Sequence, residues 1–279
     1  MTLQELYQQY FDFKEKIWQN STCRTALVVK RRIDECPECL DNFREIRDYL
    51  INNYPRDAAK RTLKAISAAN DWAIREGILD ENRFKPLIGD FRRKRRKRRK
   101  INPFSLPEKR IVMNGFVGNH YWDLINFLFK TGCRPSEAYG LCWSDINLDL
   151  LEIFFHSPIV EGVRQDELKT EEFRKFPINS ALKDFLLQLK KKASSETVFT
   201  SPDGCQINHS NFSRRAWKPV MKNLPIKYRR PYGMRQFFIT QCLYKLIPVP
   251  VIAEWVGNSP AVIFEHYAGF LPDYEVPDF

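Results

Sequence analysis

Leu3, Leu6, Tyr7, Tyr10, Phe13 and Ile17 recur three or four residues apart, so the chain opens on an amphipathic helix whose apolar stripe needs a core. The same period runs through Leu63, Ile66, Ala69, Ala73 and Ile74, predicting a helix from Arg56 to Glu76, and a third helix is predicted over Leu40 to Ile51. Residues 1–91 therefore read as a small all-helical domain bounded by Pro86, Gly89 and a basic block. Further on, Ser105 followed by Pro107 and Glu108 is a helix-start pattern, and Trp122, Ile125, Leu128 and Phe129 mark a helix that Gly132 ends. β-rich segments follow at Leu151 to Ile159 and Phe173 to Ile178, joined by the polar stretch Glu161 to Glu172, which predicts a small antiparallel sheet. Helical patterning returns from Asn208. The predicted fold class is mainly α: an all-helical N-terminal domain plus an α+β domain of helices with a small antiparallel sheet.

A chain of 279 residues has room for two cores, and 43% hydrophobic residues is ordinary for globular protein. The net charge of +11 is informative once located. Residues 1–91 hold 15 basic and 15 acidic side chains, and residues 101–279 hold 21 and 19. Arg92, Arg93, Lys94, Arg95, Arg96, Lys97, Arg98, Arg99 and Lys100 form one unbroken block. Nine like charges repel and build no core, so 92–102 reads as a basic linker between two near-neutral domains, 1–91 and 103–279. Such a linker suits a polyanion; a solvated tether, or in a eukaryote a nuclear-import signal, are the other readings.

Seven scattered cysteines and no apolar export segment predict reduced thiols in a cytoplasmic protein, nucleoid-associated in a prokaryote. No stretch has the apolar length of a membrane span. Cys36 and Cys39 have half the spacing of a zinc site, but no second pair follows, and no metal is expected.

The candidate chemistry lies in three places. Thr131-Gly132-Cys133-Arg134-Pro135-Ser136-Glu137-Ala138 sits near mid-chain, Tyr232-Gly233-Met234-Arg235 follows, and Asn258 comes nine residues before Tyr267. A guanidinium stays charged at any working pH and its planar fork binds two oxygens of one phosphate. Arg134 precedes Pro135, which suits a helix's first turn, where terminal amides also favour an anion. Two arginines on one phosphate offset most transition-state charge without a metal, and a phenol can serve as nucleophile. In order and spacing these segments resemble the active site of the tyrosine recombinase, or phage integrase, family, from about Pro103 to Ala268.

That resemblance implies a set of roles. Residues 1–91 become the core DNA-binding domain of a C-shaped clamp and 103–279 the catalytic domain, with the basic linker crossing between them. Arg134 and Arg235 would clamp the scissile phosphate, Glu137 would orient Arg134, and Lys169 would protonate the leaving 5′ oxygen; Lys175 is the rival for that role. Tyr267 would attack, leaving a 3′-phosphotyrosine that conserves the bond energy, so no cofactor is needed. The implied partners are double-stranded DNA with inverted-repeat core sites and three further protomers, four acting on two sites. Ala268 to Phe279 are expected to dock on a neighbouring protomer, and no arm-binding module is expected ahead of the clamp domain. The sequence departs from the family's pattern twice, with Tyr232 and Asn258 where histidine, or tryptophan at the second place, is usual. Some integrase-like recombinases of cyanobacteria that excise elements during development also carry tyrosine at the first place, and the chain resembles that subgroup. Two functions are open at this stage: a site-specific recombinase that integrates or excises a mobile element, or a catalytically weakened DNA-binding regulator derived from one.

If six to nine side chains of Arg92 to Lys100 meet phosphates, affinity for duplex DNA falls with salt at a log–log slope of about −5 to −8. Titration at several salt concentrations measures it, and a near-zero slope would rule the contact out.

Overall fold

The computed structural model describes residues 1–39, 41–91, 101–155 and 174–270, and its contacts divide the chain into two units, Met1–Arg98 and Arg99–Phe279. Lys169, the block Arg92 to Lys100, the stretch from Glu161 to Glu172 and the segment Leu271 to Phe279 lie outside the described residues.

In the first unit, α1 (Leu3–Glu15) starts at a reciprocal cap: Thr2 Oγ1 accepts from the Glu5 amide at 3.1 Å, and Glu5 Oε2 accepts from the Thr2 amide at 2.8 Å. Helices α2 (Asn20–Asp34), α3 (Phe43–Asn53) and α4 (Arg56–Arg75) complete it. Leu3, Leu6, Tyr7, Tyr10 and Phe11 of α1 pack with Ile33, Ile46, Leu50, Leu63 and Ile66 into one core. Phe11, not Phe13 or Ile17, continues the buried stripe. Phe13 is exposed and stacks on Trp72 at 5.8 Å, and Ile17 is also exposed. The helix α2 goes unforeseen by the sequence reading because its charges dilute the apolar period of Ala26, Val29 and Ile33. Cys36 is buried and donates to the Arg32 carbonyl at 3.2 Å, while Cys39 is exposed.

In the second unit, α5 (Leu106–Gly115) begins at the predicted Ser105–Glu108 cap, with the Glu108 amide donating to Ser105 Oγ at 3.3 Å and the Ser105 amide to Glu108 Oε2 at 2.8 Å. Helix α6 (Trp122–Thr131) ends at Gly132, which takes the left-handed conformation (φ +61°). A short α7 (Pro135–Tyr139) leads to an antiparallel sheet ordered β1 (Ile146–Asn147), β2 (Glu152–Phe155) and β3 (Arg174–Pro177). Ile153 pairs with Phe176 and Phe155 with Arg174. Helix α8 (Ser180–Lys191), also unforeseen, follows. A helical stretch of α9 (His209–Phe212), a π turn and α10 (Lys218–Lys222) leads on to α11 (Gly233–Tyr244), α12 (Val249–Val256) and α13 (Pro260–Tyr267).

One large core joins α5, α6, the sheet and the first half of α11, through Phe104, Phe127, Phe129, Phe155, Phe176 and Trp217. A smaller cluster gathers the second half of α11 with α12 and α13, from Ile239 and Ile252 to Ile263 and Tyr267. Gly132 lies where α6 meets α11: a Cβ there would come within 2.7 Å of Phe238 Cβ. Among the described residues no helix is long and apolar enough to cross a membrane.

Ser105→Ala removes a cap and is expected to cost about 1 kcal/mol. Gly132→Ala adds a clash to an unfavourable φ and is expected to cost more. Thermal melts of the C-terminal unit check both: the first variant should melt about 2–4 °C lower, and a Gly132→Ala protein as stable as wild type would contradict the packing described.

Candidate active site

Arg134 stands at the N-cap of α7, held by what surrounds that turn. Its amide donates to Glu137 Oε2 at 2.6 Å, its Nη1 to Glu137 Oε1 at 2.8 Å and its Nη2 to the carbonyl of Gly257 at 2.5 Å. Pro135 opens this five-residue helix as the sequence predicts, but the Arg134 amide is taken by Glu137, so contacts with Glu137 and Gly257 fix the side chain. Its side chain is 40% exposed while that of Glu137 is 6% exposed, so the pair runs from the interior to the surface.

Gly257 ends α12 with φ +64°, and that conformation aims its carbonyl at Arg134. A Cβ at Gly257 would lie 2.8 Å from Arg174 Cδ and 3.1 Å from Arg134 Nη1, so only glycine lets two guanidiniums pass this turn. Gly132 does the same for Arg235: its carbonyl accepts from Arg235 Nη1 at 3.0 Å. Two helix-ending glycines, Gly132, which the sequence predicts, and Gly257, which it does not, thus anchor a guanidinium each.

Arg235 is 1% exposed on the inner face of α11. Burial lowers its pKa from the ordinary arginine range, and the nearby Tyr232 opposes that shift. Its Nε and Nη2 are buried and have no hydrogen-bond partner among the described residues. Buried donors are ordinarily paired, and charged ones most of all. These two donor nitrogens therefore mark a place suited to an anion. Tyr232, at the N-cap of α11 and 45% exposed, lies beside it, with the Arg235 Cζ 5.9 Å from its ring centroid.

Tyr267 is the last residue of α13 and is 5% exposed. Burial raises its pKa well above that of a free phenol, Tyr232 raises it further, and Arg235 pulls it partly back. The phenol therefore shares its surroundings with Tyr232 and Arg235 of its own chain. Asn258 occupies the turn after Gly257, its amide donating to the Ala253 carbonyl at 2.9 Å. His266 is exposed beside Tyr267.

The sequence reading missed Arg174. Its Nη2 donates to Glu137 Oε2 and its Nη1 to the Trp255 carbonyl. The signal was strand alternation: Arg174 is two residues before the buried Phe176, on the inward face of β3. Lys175 faces out and pairs with Glu152 at 3.2 Å, which removes it from the site. Arg134, Glu137, Arg174, Tyr232, Arg235, Asn258 and Tyr267 thus come from separate chain segments gathered around α7, α11 and the α12–α13 turn.

A family model described as the phage integrase family matches residues 117–269. The chain is 22% identical over 249 residues to a protein named tyrosine recombinase XerC-like from Caldanaerobacter subterraneus subsp. tengcongensis, a match that takes in 77% of this chain and 63% of that protein. The chain therefore spans less than two thirds of that relative's length. Its fold superposes on the Tn1549 transposon integrase in complex with circular intermediate DNA, with a TM-score of 0.78, 16% identity and coverage of 99% of this chain and 96% of the other. It also superposes on the lambda integrase tetramer bound to a Holliday junction, with a TM-score of 0.71, 17% identity and coverage of 93% and 78%. At those identities the likeness is one of fold. The matched segment is more than half of the chain and contains every side chain of the cluster from Arg134 to Tyr267, so the chain belongs to the phage integrase family.

Proposed function

We propose that this chain is a site-specific DNA recombinase that cuts and rejoins double-stranded DNA through a 3′-phosphotyrosine, integrating or excising a mobile element. The observation that carries the reading is Arg235: a buried guanidinium with two nitrogens that find no partner among the described residues, near Tyr267 at the end of α13. A phosphodiester supplies the missing acceptors, and Arg134, half-exposed at the rim, takes a second non-bridging oxygen.

In this mechanism Tyr267 Oη attacks the scissile phosphorus. An O–P bond forms to the phenol, the P–O5′ bond breaks, and the negative charge spread over the equatorial oxygens rests on Arg134 and Arg235. The departing 5′ oxygen takes a proton from Lys169, and the phenol proton leaves to solvent or to a neighbour in the DNA-bound site. Rejoining reverses the steps, so bond energy is conserved without a cofactor. Tyr232 and Asn258, where the family usually has better bases, donate hydrogen bonds to phosphate oxygens. The basic block Arg92 to Lys100 adds positive charge that phosphates of the duplex neutralise. Resemblance to the lambda integrase tetramer supports four protomers on two inverted-repeat sites as the working assembly.

A second reading, a DNA-binding regulator with weakened cutting, draws on the buried phenol of Tyr267 and its raised pKa. A nicked suicide duplex built on the inverted repeat that footprinting finds beside the gene separates the two. The recombinase reading expects a covalent protein–DNA product that Tyr267→Phe abolishes while leaving affinity intact, and a loss of about a hundredfold or more in cleavage for Arg235→Ala. Tight binding by wild type with no adduct would instead establish the regulator.

The phenol shift yields an independent prediction. In the free protein Tyr267 should remain protonated at pH 10, where an ordinary tyrosine is about half ionised. Because its folded pKa lies above the unfolded one, the stability this provides is present below about pH 10 and is lost as pH rises beyond it. Ultraviolet titration of wild type against Tyr267→Phe measures this; a phenolate signal from Tyr267 at neutral pH would contradict the burial described.

A further inference from the structure

Arg174 puts a charge on a face that strand alternation assigns to the core. It opens β3, pairs across the sheet with Phe155, and holds its Cζ 4.2 Å from the Phe155 ring centroid. Only 13% of its side chain is exposed. From this aromatic wall its two terminal nitrogens reach two elements: Nη2 donates to Glu137 of α7, and Nη1 to the Trp255 carbonyl near the end of α12.

Arg134 is tied to the same two elements, through Glu137 Oε1 and through the carbonyl of Gly257, two residues after Trp255. The two arginines therefore share one carboxylate and one turn. Charge gives the arrangement a purpose. Alone with Arg134, the buried Glu137 would neutralise it and draw it inward. With Arg174 as a second cation, the trio carries a net positive charge, and the exposed member is Arg134.

We propose that Arg174 is a positioning residue of the phosphate site: it sets Arg134 for the scissile phosphate through Glu137 and the Trp255–Gly257 turn, and touches no reacting atom. The inference rests on the recombinase reading given above. Lysine cannot replace it, since a single ammonium lacks the fork that spans both acceptors.

The test compares Arg174→Met and Arg174→Lys with the wild-type full chain, using single-turnover cleavage of the suicide duplex at saturating DNA, duplex affinity, and the Nη–H resonances of Arg134 in protein carrying isotope-labelled arginine. Cleavage should fall about ten- to hundredfold with affinity changed by no more than about twofold. In a Glu137→Gln background the same substitution should cost less than about threefold, because the route through Glu137 is already cut. The Arg134 resonances, resolved in wild type, should broaden, and Arg174→Lys should regain only part of the rate. An unchanged rate, equal losses of rate and affinity, additive effects with Glu137→Gln, or unaltered Arg134 resonances would each overturn the proposal. Should Arg174→Met fail to fold, Arg174→Lys and Arg174→Gln carry the same comparisons. A wild type that forms no adduct would sink the recombinase reading alone, and the Arg134 resonances would still decide this one.

Discussion

The site depends on one buried carboxylate. Glu137 accepts the Arg134 amide and a terminal nitrogen from each of Arg134 and Arg174, so its charge is matched inside the protein. Burying such a group is costly, and removing one partner of a buried ion pair typically costs about 3–5 kcal/mol because the other charge is stranded. That constraint binds α7, β3 and, through the carbonyls of Trp255 and Gly257, the end of α12 into one frame. The turn that carries Asn258 and leads to the Tyr267 helix is set by the same contacts.

Within that frame the two motif arginines differ physically. Arg134 is half-exposed and already has protein acceptors, so it can trade some of them for a ligand. Arg235 is buried, anchored by one carbonyl, and presents donors that nothing among the described residues satisfies. The first suits capture at the rim and the second a fixed positive field in a water-poor place, where electrostatic stabilisation is strongest.

Much of this was legible in the chain because helix punctuation and chemistry coincide. Gly132 and Pro135 on either side of Arg134 are ordinary stop and start signals, and the carbonyl of Gly132 holds Arg235; the matching role of Gly257, whose carbonyl holds Arg134, was not read from the sequence. Two kinds of feature escaped. Helices α2 and α8 escaped although Ala26, Val29 and Ile33 of the first and Leu182 and Leu186 of the second recur at helical spacing, because the charged residues between them narrow the apolar stripe. Arg174 escaped for a different reason: a charge is normally read as a solvated one, and only the three-dimensional proximity of Glu137 and Phe155 explains why it faces inward. The substitution of Phe11 for Phe13 on the buried face of α1 shows the limit of period counting, since both fit a helix to within one step.

Tyr267 belongs to the small cluster formed by the far half of α11 with α12 and α13, not to the large aromatic core that carries the sheet. Satellite clusters of this kind can open in part while the main body of a domain stays folded. If α13 alone lifts from that cluster, Tyr267 is uncovered while the end of α12 keeps its hold on Arg134 and Arg174, so the phenol proposed to be joined to DNA can stay sheltered until a duplex is bound.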